Sequence, residues 1–254
     1  MKYLIPPLAV ALLAAALFAA DEPAKLPPKP TSHTTMRIEG WTVRVDDRLL
    51  KGDGADRGAL ALRLLAGRLV AITMVVPEKS LAKLREVTIQ MDLTHGLLQT
   101  MQYHPSGQWL KKMGYSEALA RCVHIPDVED FLSPFENHRQ PSAVLHELAH
   151  AYHDQVLGFD EARVKDAWTK FVESGHGKSV LTSPGGEREH YAVTNQMEFF
   201  AEMTESYLAV NDFYPFVAGE LKKSEPAIFA LMQEIWGPLP GKAKPAATPP
   251  PKSK

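Results

Sequence analysis

The sequence predicts a single compact α+β domain, and three observations carry that reading. Apolar residues recur at helical spacing over residues 56–69, 143–156 and 195–208. Short runs rich in β-branched residues, 70–76, 87–91 and 122–125, read as strands. The chain has 254 residues, 45% of them hydrophobic, and one cysteine. That suits one core of about 200 residues built without disulfide staples.

The elements follow in chain order. Met1-Lys2 precede an apolar run from Tyr3 to Ala20, and Asp21 turns the chain polar. A basic start, an apolar core and Ala19-Ala20 predict a secretory signal peptide over residues 1–20. Pro6-Pro7 and the shortness of the run argue against a retained membrane anchor. Phe18 departs from the small residue expected before the cut, and no cysteine follows that would carry lipid. The expected location is secreted or periplasmic, with membrane contact only transient, through the signal peptide. Residues 21–35 hold Pro23, Pro27, Pro28 and Pro30 and read as a linker. Residues 237–254, rich in proline and lysine, read as a disordered solubilising tail. The domain then spans 36–236.

Within it, Val43 and Val45 alternate around Arg44, so Met36 to Asp46 reads as a strand or hairpin. Asp56 to Leu69 reads as a helix, then Val70 to Val76 and Val87 to Met91 as strands. A polar loop from Tyr103 leads to a short helix at Ser116 to Arg121, and Cys122 to Ile125 makes a strand ended by Pro126. Cys122, beside Val123 and Ile125, reads as a small buried hydrophobe rather than a nucleophile. Ser142 is the expected N-cap of the next helix and Gly158 its stop. The loop from Ser174 to Glu189 has four glycines and is expected to be a mobile cover.

That helix carries His146-Glu147-Leu148-Ala149-His150, an H-E-x-x-H sequence. Positions four apart share a helix face, so both imidazoles can converge on one zinc ion, with Glu147 placed as general base. The longer form with a third histidine is excluded, because His153 stands at its glycine position and Val156 at its last histidine. A third ligand is therefore sought on a later helix, where Glu198 and Glu202 lie four apart with Glu205 nearby. Read alone, that segment also fits a solvated acidic face, or a capping box closed between Asn195 and Glu198.

Together, the two segments resemble the anthrax-lethal-factor-like zinc peptidases and the bacterial secreted metallopeptidases of that kind. The likeness rests mainly on residues 141–210. It comprises the H-E-x-x-H helix, Tyr191, and seven positions later Glu198-Phe199-Phe200-Ala201-Glu202, with Glu198 placed 48 positions after His150. The resemblance implies a zincin-like domain with a small mixed sheet, an active-site helix and a following helix that bears the third ligand. It implies one Zn²⁺ per chain held by His146, His150 and Glu198, and a role for Tyr191 in stabilising the oxyanion. Glu202, and less directly Asp154, would orient a ligand histidine. Val123 to Ile125 would form the cleft edge to which an extended peptide adds.

The expected chemistry is hydrolysis of a peptide or protein by zinc-activated water, with Glu147 taking and returning the proton. The alternative is a zinc-binding protein of similar fold that acts by binding a partner; Glu147 favours the enzyme, since zinc binding alone does not need it. A net charge of −2 gives no basic surface for nucleic acid. His153 is read as off the ligand stripe, and His176 and His190 as loop histidines. His95, His104, His124 and His138 show no mutual spacing that points to a second site.

Overall fold

A computed structural model describes residues 26–241. The expectations for the signal peptide, for residues 21–25 of the linker and for residues 242–254 of the tail lie outside the described residues. The chain is mixed α and β. β1 (His33–Ile38) turns into β2 (Trp41–Asp46) as an antiparallel hairpin. Glu39 and Gly40 form the tight turn at φ 48° and 94°, the left-handed pair that lets the strands keep their twist. β1 begins inside the stretch expected to be linker, so the arm ends earlier than its proline content implies.

α1 (Ala55–Val75) and α2 (Glu78–Leu84) lead to β3 (Thr88–Met91) and β4 (Gln102–Tyr103). α1 overturns the strand expected at Val70–Val76. Leu65, Leu69, Ile72 and Val76 are all buried, at a spacing only a helix puts on one face. β-branching is a weak preference, and burial of a continuous stripe outweighs it. Pro77 then ends the helix.

α3 (Gly107–Lys112), capped by Ser106, occupies the loop expected after Tyr103. The short helix expected at Ser116–Arg121 is only a 3-10 turn at Glu117–Leu119. β5 (Cys122–Ile125), α4 (Val128–Leu132) and α5 (Pro134–Arg139) follow. The sheet order is β1-β2-β3-β5-β4, with β2, β3 and β5 parallel and both outer pairs antiparallel. Strand β5 therefore lies inside the sheet, and the expectation that Val123 to Ile125 forms the free edge is corrected. β4 covers it and is itself the edge.

α6 (Ala143–Tyr152) starts at Ser142 as expected. The Ser142 hydroxyl does not cap it; Oγ donates to Val210 O at 2.6 Å and ties the helix start to a distant segment. A π-helical turn (His153–Leu157) carries the chain to Gly158 at φ 83°. After α7 (Ala162–Ser174) comes a small hairpin, β6 (Val180–Leu181) with β7 (Glu187–Arg188). Ser183 N–H donates to Asp212 O at 2.7 Å and Tyr214 N–H to Leu181 O at 2.9 Å. The glycine-rich loop is thus anchored at its base rather than free.

α8 (Gln196–Leu208), α9 (Ala218–Ser224) and α10 (Pro226–Trp236) complete the chain. The Asn195 side chain accepts from the N–H groups of Met197 and Glu198 and caps α8. α6 and α8 pack against each other and bury Leu145, Leu148, Ala149, Phe199, Phe200 and Met203 in the single large core cluster. Trp236 stacks on Phe200 and donates to Thr204 Oγ1 at 3.0 Å. These contacts fix the two helices that carry the site.

Candidate metal centre

His146 and His150 project from one face of α6, with ring centroids 4.7 Å apart. Both Nε2 atoms face one oxygen of Glu198: His146 at 3.2 Å and His150 at 3.3 Å from Oε2. Ligand atoms about 2.05 Å from a tetrahedral zinc stand about 3.3 Å from one another. Two imidazole nitrogens and a carboxylate oxygen at that separation fit zinc in chemistry and in size. Asn195 makes the fit possible, because its cap starts α8 where the Glu198 carboxylate turns to α6.

The surrounding charges suit a cation. Burial opposes ionisation of Glu198, but hydrogen bonds from His146 and His150 outweigh it and hold the carboxyl at about 2. Burial also disfavours a charged His146, yet Glu198 and Glu205 raise its pKa well above the ordinary value. Glu202 and Glu205 are completely buried, so the reading of this helix as a solvated acidic face fails. Desolvation raises the pKa of both.

Glu205 performs the task expected of Glu202. Its Oε1 accepts from His146 Nδ1 at 2.6 Å, whereas Glu202 Oε1 stands at 3.8 Å. Such a bond fixes the proton on Nδ1 and leaves the Nε2 lone pair for a metal. Both Glu202 oxygens lack a hydrogen-bond partner among the described residues. In the sequence, Glu205 differs from Glu202 only in lying three residues further on, just short of a full turn, so no local signal separates them.

Asp154 is corrected as well. It accepts from the Tyr103 hydroxyl at 2.6 Å and orients no ligand histidine. Tyr103 in turn donates its backbone N–H to Glu147 Oε2 at 2.6 Å. The edge strand β4 therefore holds the expected general base, a link that the sequence hid because 44 residues separate the partners. Burial raises the Glu147 pKa, despite the opposing pull of His150 and His146.

Tyr191 lies in a 3-10 turn at Tyr191–Val193 and is 46% exposed on the cleft wall. His190, expected in solvated loop, is fully buried instead. Its Nδ1 accepts from Ala192 N–H at 3.2 Å and its ring stacks on Phe213, so it shapes the turn that presents Tyr191. His153 is buried between Phe159 and Phe200, off the metal face. His176 is exposed and pairs with Glu225. Cys122 is buried, and desolvation raises its thiol pKa. Elsewhere His95, His104 and His124 do come together, around Asp92, contrary to the sequence reading; His138 stays on the surface.

The cleft measures about 640 Å³ and is lined by His146, Glu147, His150, Tyr191 and Glu198, with Met101 to Tyr103 of the sheet edge on one wall. Comparisons with protein-family models, curated proteins and solved structures found no match to this chain.

Proposed function

We propose that this chain is a zincin-like zinc metallopeptidase of the anthrax-lethal-factor-like kind, exported and acting on a peptide or protein. The observation that carries the reading is the convergence of His146, His150 and Glu198 beside Glu147 in an open cleft. Those three residues would hold the ion. Zinc there supplies a Lewis acid that acidifies water and polarises a carbonyl.

Glu147 takes the proton of the attacking water and returns it to the leaving amine. Burial raises its pKa above the ordinary carboxylate value, the direction that strengthens it as a base. The Tyr103 N–H occupies Oε2, which leaves Oε1 for the proton. Tyr191 donates its hydroxyl hydrogen to the developing oxyanion. An extended substrate adds to the outer side of β4, where Met101 and Tyr103 border the cleft.

Elemental analysis beside a peptide-library digest tests the reading. The expected result is a chain that cleaves peptides and loses one zinc equivalent on Glu198→Ala. Zinc retained without any turnover would favour the partner-binding alternative, and no zinc at His146 and His150 would overturn the proposal.

A further inference from the structure

Asp92 is completely buried at the end of β3, and four of the chain's ten histidines gather near its carboxylate. His124 Nε2 lies 2.7 Å and His95 Nδ1 2.6 Å from Oδ2, and His33 Nε2 lies 2.7 Å from Oδ1. His104 Nε2 stands 3.1 Å from His124 Nδ1, behind the ring. The residues come from β1, the segment that follows β3, β5 and the residue after β4. They meet because β3 and β5 are parallel neighbours, with Gln90 opposite His124.

We propose that Asp92, His95 and His124, completed by His33, form a second site for a zinc-class divalent cation. Donor chemistry supports it: two imidazoles and one carboxylate already converge, and the His33 imidazole, now on the other Asp92 oxygen, would swing in as the fourth donor to close a tetrahedral set of the structural kind. The donor atoms of Asp92, His95 and His124 all lie within 4.8 Å of one another. His104 gives the far nitrogen of His124 a hydrogen-bond partner, as the outer nitrogen of a metal-bound histidine requires. His33 is the one partly exposed member, at 23% of its side chain, and gives an ion a path from solvent.

The competing account is a network of hydrogen bonds alone. The nitrogen–oxygen distances of 2.6–2.7 Å are hydrogen-bond lengths, and an ion replacing the shared protons would open them to about 3.3 Å. Against that account stands economy: apolar side chains fill a buried space at lower desolvation cost than a carboxylate and four imidazoles. Bound there, the ion would cross-link β1, β3 and β5. The site would hold the sheet rather than react, and it does not depend on the function proposed for the cleft.

The test is zinc content of the full chain and of its His146→Ala/His150→Ala variant, after Zn²⁺ reconstitution and removal of excess metal. Two equivalents in the parent and one in the variant are expected, with the last lost on adding His33→Ala or His95→Ala. The His33→Ala change is mild because that ring is partly exposed; circular dichroism confirms the fold of each variant. A folded His146→Ala/His150→Ala variant that binds no zinc would overturn the proposal. A parent holding one equivalent that this variant keeps would support the second site and sink the cleft reading.

Discussion

At His146 the two ring nitrogens have separate duties: Nδ1 meets Glu205 at 2.6 Å while Nε2 faces Glu198 at 3.2 Å. Removing the first contact frees the ring and its tautomer without touching a ligand atom. Glu205→Gln is therefore expected to weaken zinc binding by about 10–100-fold, and Glu202→Gln by much less, measured by competition with a chromophoric chelator. Equal losses in the two variants would refute the assignment of Glu205. Glu147 differs in kind, since it stands outside the three converging donors. Glu147→Gln should keep the zinc and lower kcat by about 10²–10⁴-fold; a fully active variant would exclude it as the base. His153 offers a pH test. Desolvation among Phe159 and Phe200 lowers its pKa from 6.5 to about 4. The unfolded chain then binds this proton more readily than the folded chain, so stability is lost as pH falls from 6.5 toward 4. Neither ring nitrogen has a hydrogen-bond partner among the described residues, so His153→Leu sacrifices no bond seen there. The variant should match the wild type at pH 7 and outlast it at pH 4 by up to about 3 kcal/mol, read by urea unfolding at each pH.

Helix α1 shows where pattern reading succeeds and where it stops. A strand over residues 70–76 would put Ile72 and Met74 in equivalent places on one face. In the helix Ile72 is 4% exposed and Met74 is 74% exposed. Ile72→Ala is expected to cost about 2–4 kcal/mol and Met74→Ala less than about 0.5 kcal/mol, both by urea unfolding; similar costs would restore the strand. The same period made α6 and α8 readable, because their apolar stripes run uninterrupted and their starts carry Ser142 and Asn195. It placed His146, Glu147 and His150 on one face and brought Glu198 into consideration. Other parts were illegible because they are fixed by distant partners. β4 is two residues long and exists only because β5 offers it a ladder. Sheet order, which moved the cleft edge from Val123–Ile125 to β4, is a property of how helices cross over and leaves no local pattern. Glu205 outranks Glu202 through a fraction of a turn, and Asp92 gathers His33 and His124 from opposite directions along the chain.

For the molecule as a whole, the proposed metal site would be linked to the fold through the α6–α8 pair. Both helices lie in the one large hydrophobic cluster, together with Trp41, Leu65, Ile89 and Trp236. The first ligand set joins residues 146 and 198, and the contact between His146 and Glu205 spans 59 positions. None of this proximity survives unfolding, so an ion held by the proposed site would bind the native state and stabilise it by mass action. Without an ion, the cationic neighbours of the buried carboxylates Glu202, Glu205 and Asp212 among the described residues are His146, a distant Arg139 and, toward Asp212, Arg188. At free zinc about 1,000-fold above Kd the gain is about 4 kcal/mol. For a domain of this size each kcal/mol moves Tm by about 2–4 °C. Emptying the cleft site is therefore expected to lower Tm by about 8–16 °C, in one transition because the core is continuous, and chelation of the parent, which also empties the Asp92 cluster, by more. The His146→Ala/His150→Ala variant should show a smaller drop, set by the Asp92 cluster alone. Scanning calorimetry with and without chelator reads both quantities. An unchanged Tm in the parent would mean that the two helices hold together by apolar packing alone, and that the buried carboxylates face no ion.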